Sequence, residues 1–182
     1  MIRFVTSNKE KFREAERILG GIGMDVEMLS IEYPEIQGES LKEIVLFGLN
    51  WLRQKIEGDL LIEDSGLFIE SLGGFPGVFS SHVYKTIGLD GILRLMGSEK
   101  NRNAHFECCV GFLPNDEVRV FGGRCEGTIS EKKRGIKGFG YDPIFIPKGE
   151  SKAFGEMDIN EKNRFSHRGK AFQKLVEFLQ SK

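Results

Sequence analysis

Apolar positions along the chain alternate between strand-like runs and helical spacing. Residues 2–6 (IRFVT) read as a short buried strand. Phe12, Ala15, Ile18 and Leu19 then recur at helical intervals, and Gly20-Gly21 ends that segment. Residues 25–31 (DVEMLSI) alternate like a second strand, and the stretch from Tyr33 to Ser40, with Pro34 and Gly38, reads as a loop. Ser40 followed three residues later by Glu43 is a capping box opening a long amphipathic helix over 40–56. Residues 59–64 (DLLIED) predict a strand ending on two acids, 72–81 a Gly/Pro-rich loop, and 89–97 a short helix. Residues 105–114 and 117–130 predict two longer strands joined as a hairpin near Asn115-Asp116-Glu117. A loop over 131–142, a short strand over 143–147 and a closing helix over 166–180 complete the pattern. Strands and helices alternate first and a hairpin follows, which predicts an α/β domain with a mixed sheet. The sequence has no internal repeat and no low-complexity linker.

Composition narrows the function classes. The 182 residues suit one domain and are 40% hydrophobic, enough for a core. With 26 Lys+Arg against 27 Asp+Glu, the net charge of -1 excludes a globally basic binder of nucleic acid polymers but not a local basic site. No apolar run is long enough to cross a membrane, and the N-terminal residues lack the pattern of a signal peptide. Cys108, Cys109 and Cys125 form neither a paired framework nor a metal-binding spacing, and neighbours such as Cys108 and Cys109 face opposite sides of a strand. A reducing, cytoplasmic location is the simplest expectation.

Four stretches carry candidate chemistry. In Thr6-Ser7-Asn8-Lys9-Glu10-Lys11, Asn8 or Ser7 is placed to cap a helix whose first turns hold Lys9 and Lys11. Cations there oppose the helix dipole by about 0.3–1 kcal/mol each, unless a phosphate bound at the helix start reverses the balance. The plainer alternative is a capped helix with solvated lysines. Glu63 and Asp64 at a strand end, with Glu35 in the preceding loop, supply carboxylates of the kind Mg²⁺ takes beside a triphosphate, and one of them is a candidate base for water. Taken alone, the acidic pair is most simply a turn. In Gly138 to Phe145 (GFGYDPIF), the glycines let the backbone approach a flat ligand on which Phe139 or Tyr141 can stack. In Ser166-His167-Arg168, two cationic groups open a helix where structure alone favours acids. His105 on a strand reads as structural, and His82 is left open.

Together these motifs resemble the inosine triphosphate pyrophosphatase family. The resemblance rests on Thr6-Ser7-Asn8-Lys9-Glu10-Lys11, on Glu63-Asp64-Ser65-Gly66-Leu67 with Gly74-Phe75-Pro76-Gly77, on Gly138 to Pro143, and on Ser166-His167-Arg168, in that order over nearly the whole chain. Ser7 stands where many members carry glycine. The resemblance implies a long mixed β-sheet with flanking helices, one domain over 1–182 with two lobes around a central cleft, and a homodimer. It implies Mg²⁺-dependent hydrolysis of ITP, dITP and XTP to the monophosphate and pyrophosphate. Residue by residue, it assigns Thr6, Ser7, Asn8, Lys9, Glu10 and Lys11 to the phosphates, Glu35 and Asp64 to the metal, Asp64 also to water activation, and Ser65 to substrate. It assigns Phe139, Gly140, Tyr141, Asp142, His167 and Arg168 to the surroundings of the base, and Lys162 to substrate binding. Two rivals remain: a Maf-like pyrophosphatase acting on dTTP or UTP, and a non-catalytic nucleotide or RNA sensor using the basic loop from Glu131 to Gly138.

Overall fold

The computed structural model describes residues 1–34 and 36–181. Its strands are β1 (Ile2–Val5), β2 (Val26–Leu29), β3 (Leu60–Ile69), β4 (Pro76–Gly77), β5 (Asn103–Leu113), β6 (Arg119–Ile129) and β7 (Phe145–Pro147). Its helices are α1 (Lys9–Gly20), α2 (Leu41–Leu52), α3 (Ser80–Thr86), α4 (Gly88–Met96), α5 (Ile159–Phe165) and α6 (His167–Gln180). The strands form one mixed sheet in the order β2-β1-β3-β5-β6-β7, with β4 added on β3. β1 runs parallel to both β2 and β3, and β3, β5, β6 and β7 continue antiparallel.

Local chemistry sets the element ends. The Asn8 side chain accepts from the N–H groups of Glu10 and Lys11 and so caps α1. Ser40 Oγ accepts from Glu43 N, while the Glu43 carboxylate accepts from Glu39 N, one residue beyond the reciprocal bond of a regular capping box. Asn115 and Asp116, both at positive φ, turn the β5–β6 hairpin.

Three expectations need correction. The acidic pair does not end a strand: β3 runs on through Ile69, and Glu63, Asp64 and Ser65 pair with Val110, Cys109 and Cys108 of β5. The segment before α4 is helical from Ser80, not loop to residue 81. α5, between β7 and α6, was not predicted at all, although Asp158 caps it through the N–H groups of Asn160 and Glu161.

Three apolar clusters clothe the sheet. On one face, Ile2, Phe4, Leu61, Val110 and Phe112 pack under α1 and α6 through Ala15, Leu19, Phe172 and Leu175. On the other, Val5, Leu60, Ile62 and Cys109 pack under Val45 and Leu49 of α2. Beyond them Leu67, Ile69, Phe106 and Phe145 join Val83, Ile92 and Met96 of α3 and α4. Alternation along β3 therefore puts Glu63 and Ser65 on the same face as Leu61 and Leu67, between two separate cores. Helix α6 reaches that gap because Gly123 of β6 lets it sit close: a Cβ there would lie 2.0 Å from the His167 carbonyl oxygen.

Candidate functional site

The gap is filled with charge. Lys162 of α5 donates to Asp142 at 2.6 Å and to Glu14 at 2.7 Å. The other oxygen of Glu14 takes Arg168 Nη1 at 2.6 Å. Arg168 turns its Nε and Nη2 to Glu63 at 3.2 and 3.0 Å, and Nη2 also reaches Ser65 Oγ at 2.9 Å. Lys11 Nζ closes the chain 2.9 Å from Glu63 and 3.9 Å from Asp64. Four carboxylates thus face three cations, and of the carboxylates Asp64 alone is substantially exposed, its side chain at 30%. Buried charge survives only when paired in this way.

The pKa directions follow the pairing. Burial opposes ionisation of Glu63 and Glu14, but Arg168 with Lys11, and Arg168 with Lys162, outweigh it and hold both carboxyls below their usual range. Burial likewise opposes the Lys11 charge, and Glu63 and Asp64 overcome it. At Asp142 burial prevails over Lys162 and raises the pKa.

Each element delivers its residue for a local reason. The α1 cap places Lys11 one turn inside the helix and facing β3, with Glu14 one turn further on. Thr6 Oγ1 accepts from Asn8 N, while Ser7 and Lys9 are exposed and Glu10 pairs with Arg13. Ser166 ends α5 and caps α6 by accepting from Gly169 N, which turns His167 and Arg168 inward, 3% and 1% exposed. The loop before β7 is shaped by Asp142, whose Oδ2 accepts from Phe139 N at 2.8 Å. Phe139 lies against two cations, with Lys162 Nζ 4.6 Å and Arg168 Cζ 5.3 Å from its ring centre. Gly140 takes a positive φ of 59°. Tyr141 is buried, donates to the Ser80 carbonyl and meets Tyr84 edge-on, so it fastens the loop to α3. His167 stacks on Phe106 at 4.4 Å, and its buried Nδ1 has no hydrogen-bond partner among the described residues. Glu35 lies outside the described residues.

Among the sequence-predicted residues, the structure gathers Lys11, Asp64, Ser65, Phe139, Asp142, Lys162, His167 and Arg168 around one gap. Glu14 was missed, although it lies on the same side of α1 as Lys11 and Ile18, a charge on an apolar stripe. The basic loop of the sensor reading has Lys133 paired with Asp90 and Arg134 with Glu156. His105 stacks on Phe68 and faces Glu107.

The chain is similar to known proteins over nearly its whole length. Residues 2–178 match the model of the Ham1 family. The chain belongs to this family. A Pyrococcus horikoshii relative named dITP/XTP pyrophosphatase is 53% identical over 178 residues, covering 98% of this chain and 96% of its own. A Thermococcus kodakarensis protein of the same name is 47% identical over the same shares. The structure of a HAM1 protein from Coxiella burnetii superposes with a TM-score of 0.87 at 27% identity, covering 100% of this chain and 98% of its own. In this Ham1 member the gap between the two cores is the candidate active site.

His167 gives the site a measurable pH signature. Burial, then Arg168 and Lys162, push its pKa well below 6.5, so it is neutral when folded. The unfolded chain takes up a proton below about pH 6.5 that the folded chain refuses, so stability falls as pH drops. His167 alone is expected to cost about 2 kcal/mol between pH 7 and pH 5. Denaturant melts of wild type and His167→Gln at both values check this, and an equal drop in the two proteins would assign the slope elsewhere.

Proposed function

We propose that this chain hydrolyses nonstandard purine nucleoside triphosphates (ITP, dITP and XTP) to the monophosphate and pyrophosphate. One observation carries the reading: the Glu63-Asp64 pair is split. Glu63 is sealed against Arg168 and Lys11, while Asp64 beside it presents a partly exposed carboxylate 3.9 Å from Lys11 Nζ. The names of the P. horikoshii and T. kodakarensis relatives support dITP and XTP among these substrates.

In this reading Asp64 takes a proton from the water that attacks the α-phosphorus, and pyrophosphate leaves. Lys11, with the polar groups of Thr6, Ser7, Asn8, Lys9 and Glu10 at the start of α1, binds the triphosphate. Asp64 is an oxygen donor of the kind Mg²⁺ prefers, and Mg²⁺ takes only one or two protein carboxylates beside a nucleotide, so the residues fit that ion with Asp64, and Glu35, as its holders. When bound, it neutralises triphosphate charge and polarises phosphoryl oxygens. The base lies on Phe139, with Gly140, Ser65 and the unpartnered His167 Nδ1 close by. Tyr141, Asp142, Lys162 and Arg168 hold that pocket in shape. The 6-keto oxygen of hypoxanthine and xanthine meets a donor. ATP sets an amino group against it, and an unpaired buried polar group costs about 1–3 kcal/mol, or tens- to hundreds-fold in selectivity. The protein acts as a cytoplasmic homodimer, one domain with two lobes around this cleft.

A panel of ITP, dITP, XTP, ATP, dTTP and UTP with pyrophosphate detection, with Mg²⁺ and with EDTA, tests the reading. Turnover of the first three, lost in EDTA, is expected. Preference for dTTP or UTP would favour the Maf-like rival, and binding without pyrophosphate release would favour a sensor.

A further inference from the structure

One carboxylate touches the cations of both ends of the site. Glu63 Oε2 stands 2.9 Å from Lys11 Nζ at the phosphate end, and Oε1 accepts both Nε and Nη2 of Arg168, which lies beside Phe139 at the base end. The Cys108 thiol donates to the same Oε1 at 3.2 Å. The Glu63 side chain has no exposed surface, so solvent cannot replace any of these contacts. Lys11 and Arg168 are close enough to repel each other, and Glu63 is the group between them. Each cation has one other carboxylate within this cluster, Asp64 for Lys11 and Glu14 for Arg168, and Arg168 also reaches Ser65 Oγ.

We propose that Glu63 is a positioning residue that sets Lys11 beside Asp64 and Arg168 beside Phe139, and so couples the grip on phosphates to the choice of base. This rests on the function proposed above. Without Glu63, the two cations part: Lys11 falls back on Asp64, and Arg168 swings toward Glu14 and away from the ring. Without Lys11, Glu63 is left with Arg168 and the weak thiol donor, and draws the guanidinium toward itself. A change at the phosphate end is therefore felt at the base.

The experiment compares wild type, Glu63→Gln, Lys11→Met and the double variant, reading kcat and KM for ITP and ATP. ITP and ATP binding by calorimetry is read in parallel. Glu63→Gln is expected to raise the KM for ITP about tenfold and to lower the ITP:ATP ratio of kcat/KM about tenfold, the size typical of coupled neighbours. Lys11→Met is expected to lower that ratio roughly threefold or more, and the double variant to be no less selective than Glu63→Gln alone. A purely structural role would lower kcat through the folded fraction and leave KM and the ratio alone. An unchanged ITP:ATP ratio in either single variant overturns the proposal, and Lys11→Met, with an 18% exposed side chain, supplies that result even where Glu63→Gln does not fold. Wild type that releases no pyrophosphate from ITP would instead remove the proposed function, and the calorimetric ratio would then decide the coupling by itself.

Discussion

Asp64→Asn is expected to lose roughly 10³-fold or more in kcat while the protein stays folded. The substitution keeps the shape of the side chain and keeps an Oδ1 to accept from Ser65 N, a bond of 2.9 Å in the native protein. It removes the proton acceptor. The fold has little at stake at this position, because the buried pairs of the cluster run through Glu63, Glu14 and Asp142. Lys11 keeps its closer partner, Glu63. Pyrophosphate release measured beside a thermal melt checks both halves of the expectation. Turnover close to wild type would take Asp64 out of the chemistry, and a collapsed melt would mean that the strand depends on this charge.

Arg168→Ala should be the most damaging change to stability within the site. The side chain is 2% exposed, and its guanidinium serves Glu14, Glu63 and Ser65 at once. Its removal leaves two buried carboxylates with only Lys162 and Lys11 to answer them. Breaking a buried pair from one side costs about 3–5 kcal/mol. For a chain of this size that is a drop of roughly 10–15 °C in melting temperature. Discrimination between ITP and ATP should fall with it, because Phe139 loses one of the two cations behind its ring. Arg168→Lys keeps the charge without the fork and should fall between the two. An Arg168→Ala protein that melts with wild type would mean the network adds no net stability. The size of the expected loss also means that selectivity should be read well below the melting point, where misfolding does not pass for lost base recognition.

The sequence was most legible where chemistry is local. Asn8 and Ser40 could each be read as candidate caps, because a cap needs only its own next turn. The long strands β5 and β6 and the turn at Asn115-Asp116 follow from alternation and turn residues alone. Legibility failed where distant residues decide. Two acids, a serine and a glycine look like the end of a strand, and nothing nearby says otherwise. They continue β3 because β5 pairs with all four, because Lys11 and Arg168 arrive from remote parts of the chain to neutralise Glu63, and because β4 packs so close that a Cβ on Gly66 would lie 2.3 Å from the Gly77 carbonyl oxygen. The helix α5 carried a readable signal, Asp158 followed by Glu161, on a stretch without strong apolar periodicity. The motif residues, far apart in the chain, meet at one gap in the fold. Their division of labour came only with burial: Asp142 and Tyr141 face inward as supports, and Glu14 enters the cluster with no motif to announce it.

The bond between Glu14 and Arg168 joins residues 154 apart in the chain, and that between Glu14 and Lys162 joins residues 148 apart. During synthesis the first helix, the parallel strands and the hairpin can all be in place while Glu14 and Glu63 still lack the cations that α5 and α6 bring. Until residues 162–168 leave the ribosome, those two acids have to stay hydrated, and the gap between the cores stays open to water. Contacts of such long range are the slowest to close. The candidate active site is therefore among the last parts of the molecule to exist, and a nascent chain that already has most of its sheet still lacks the two cations that complete it.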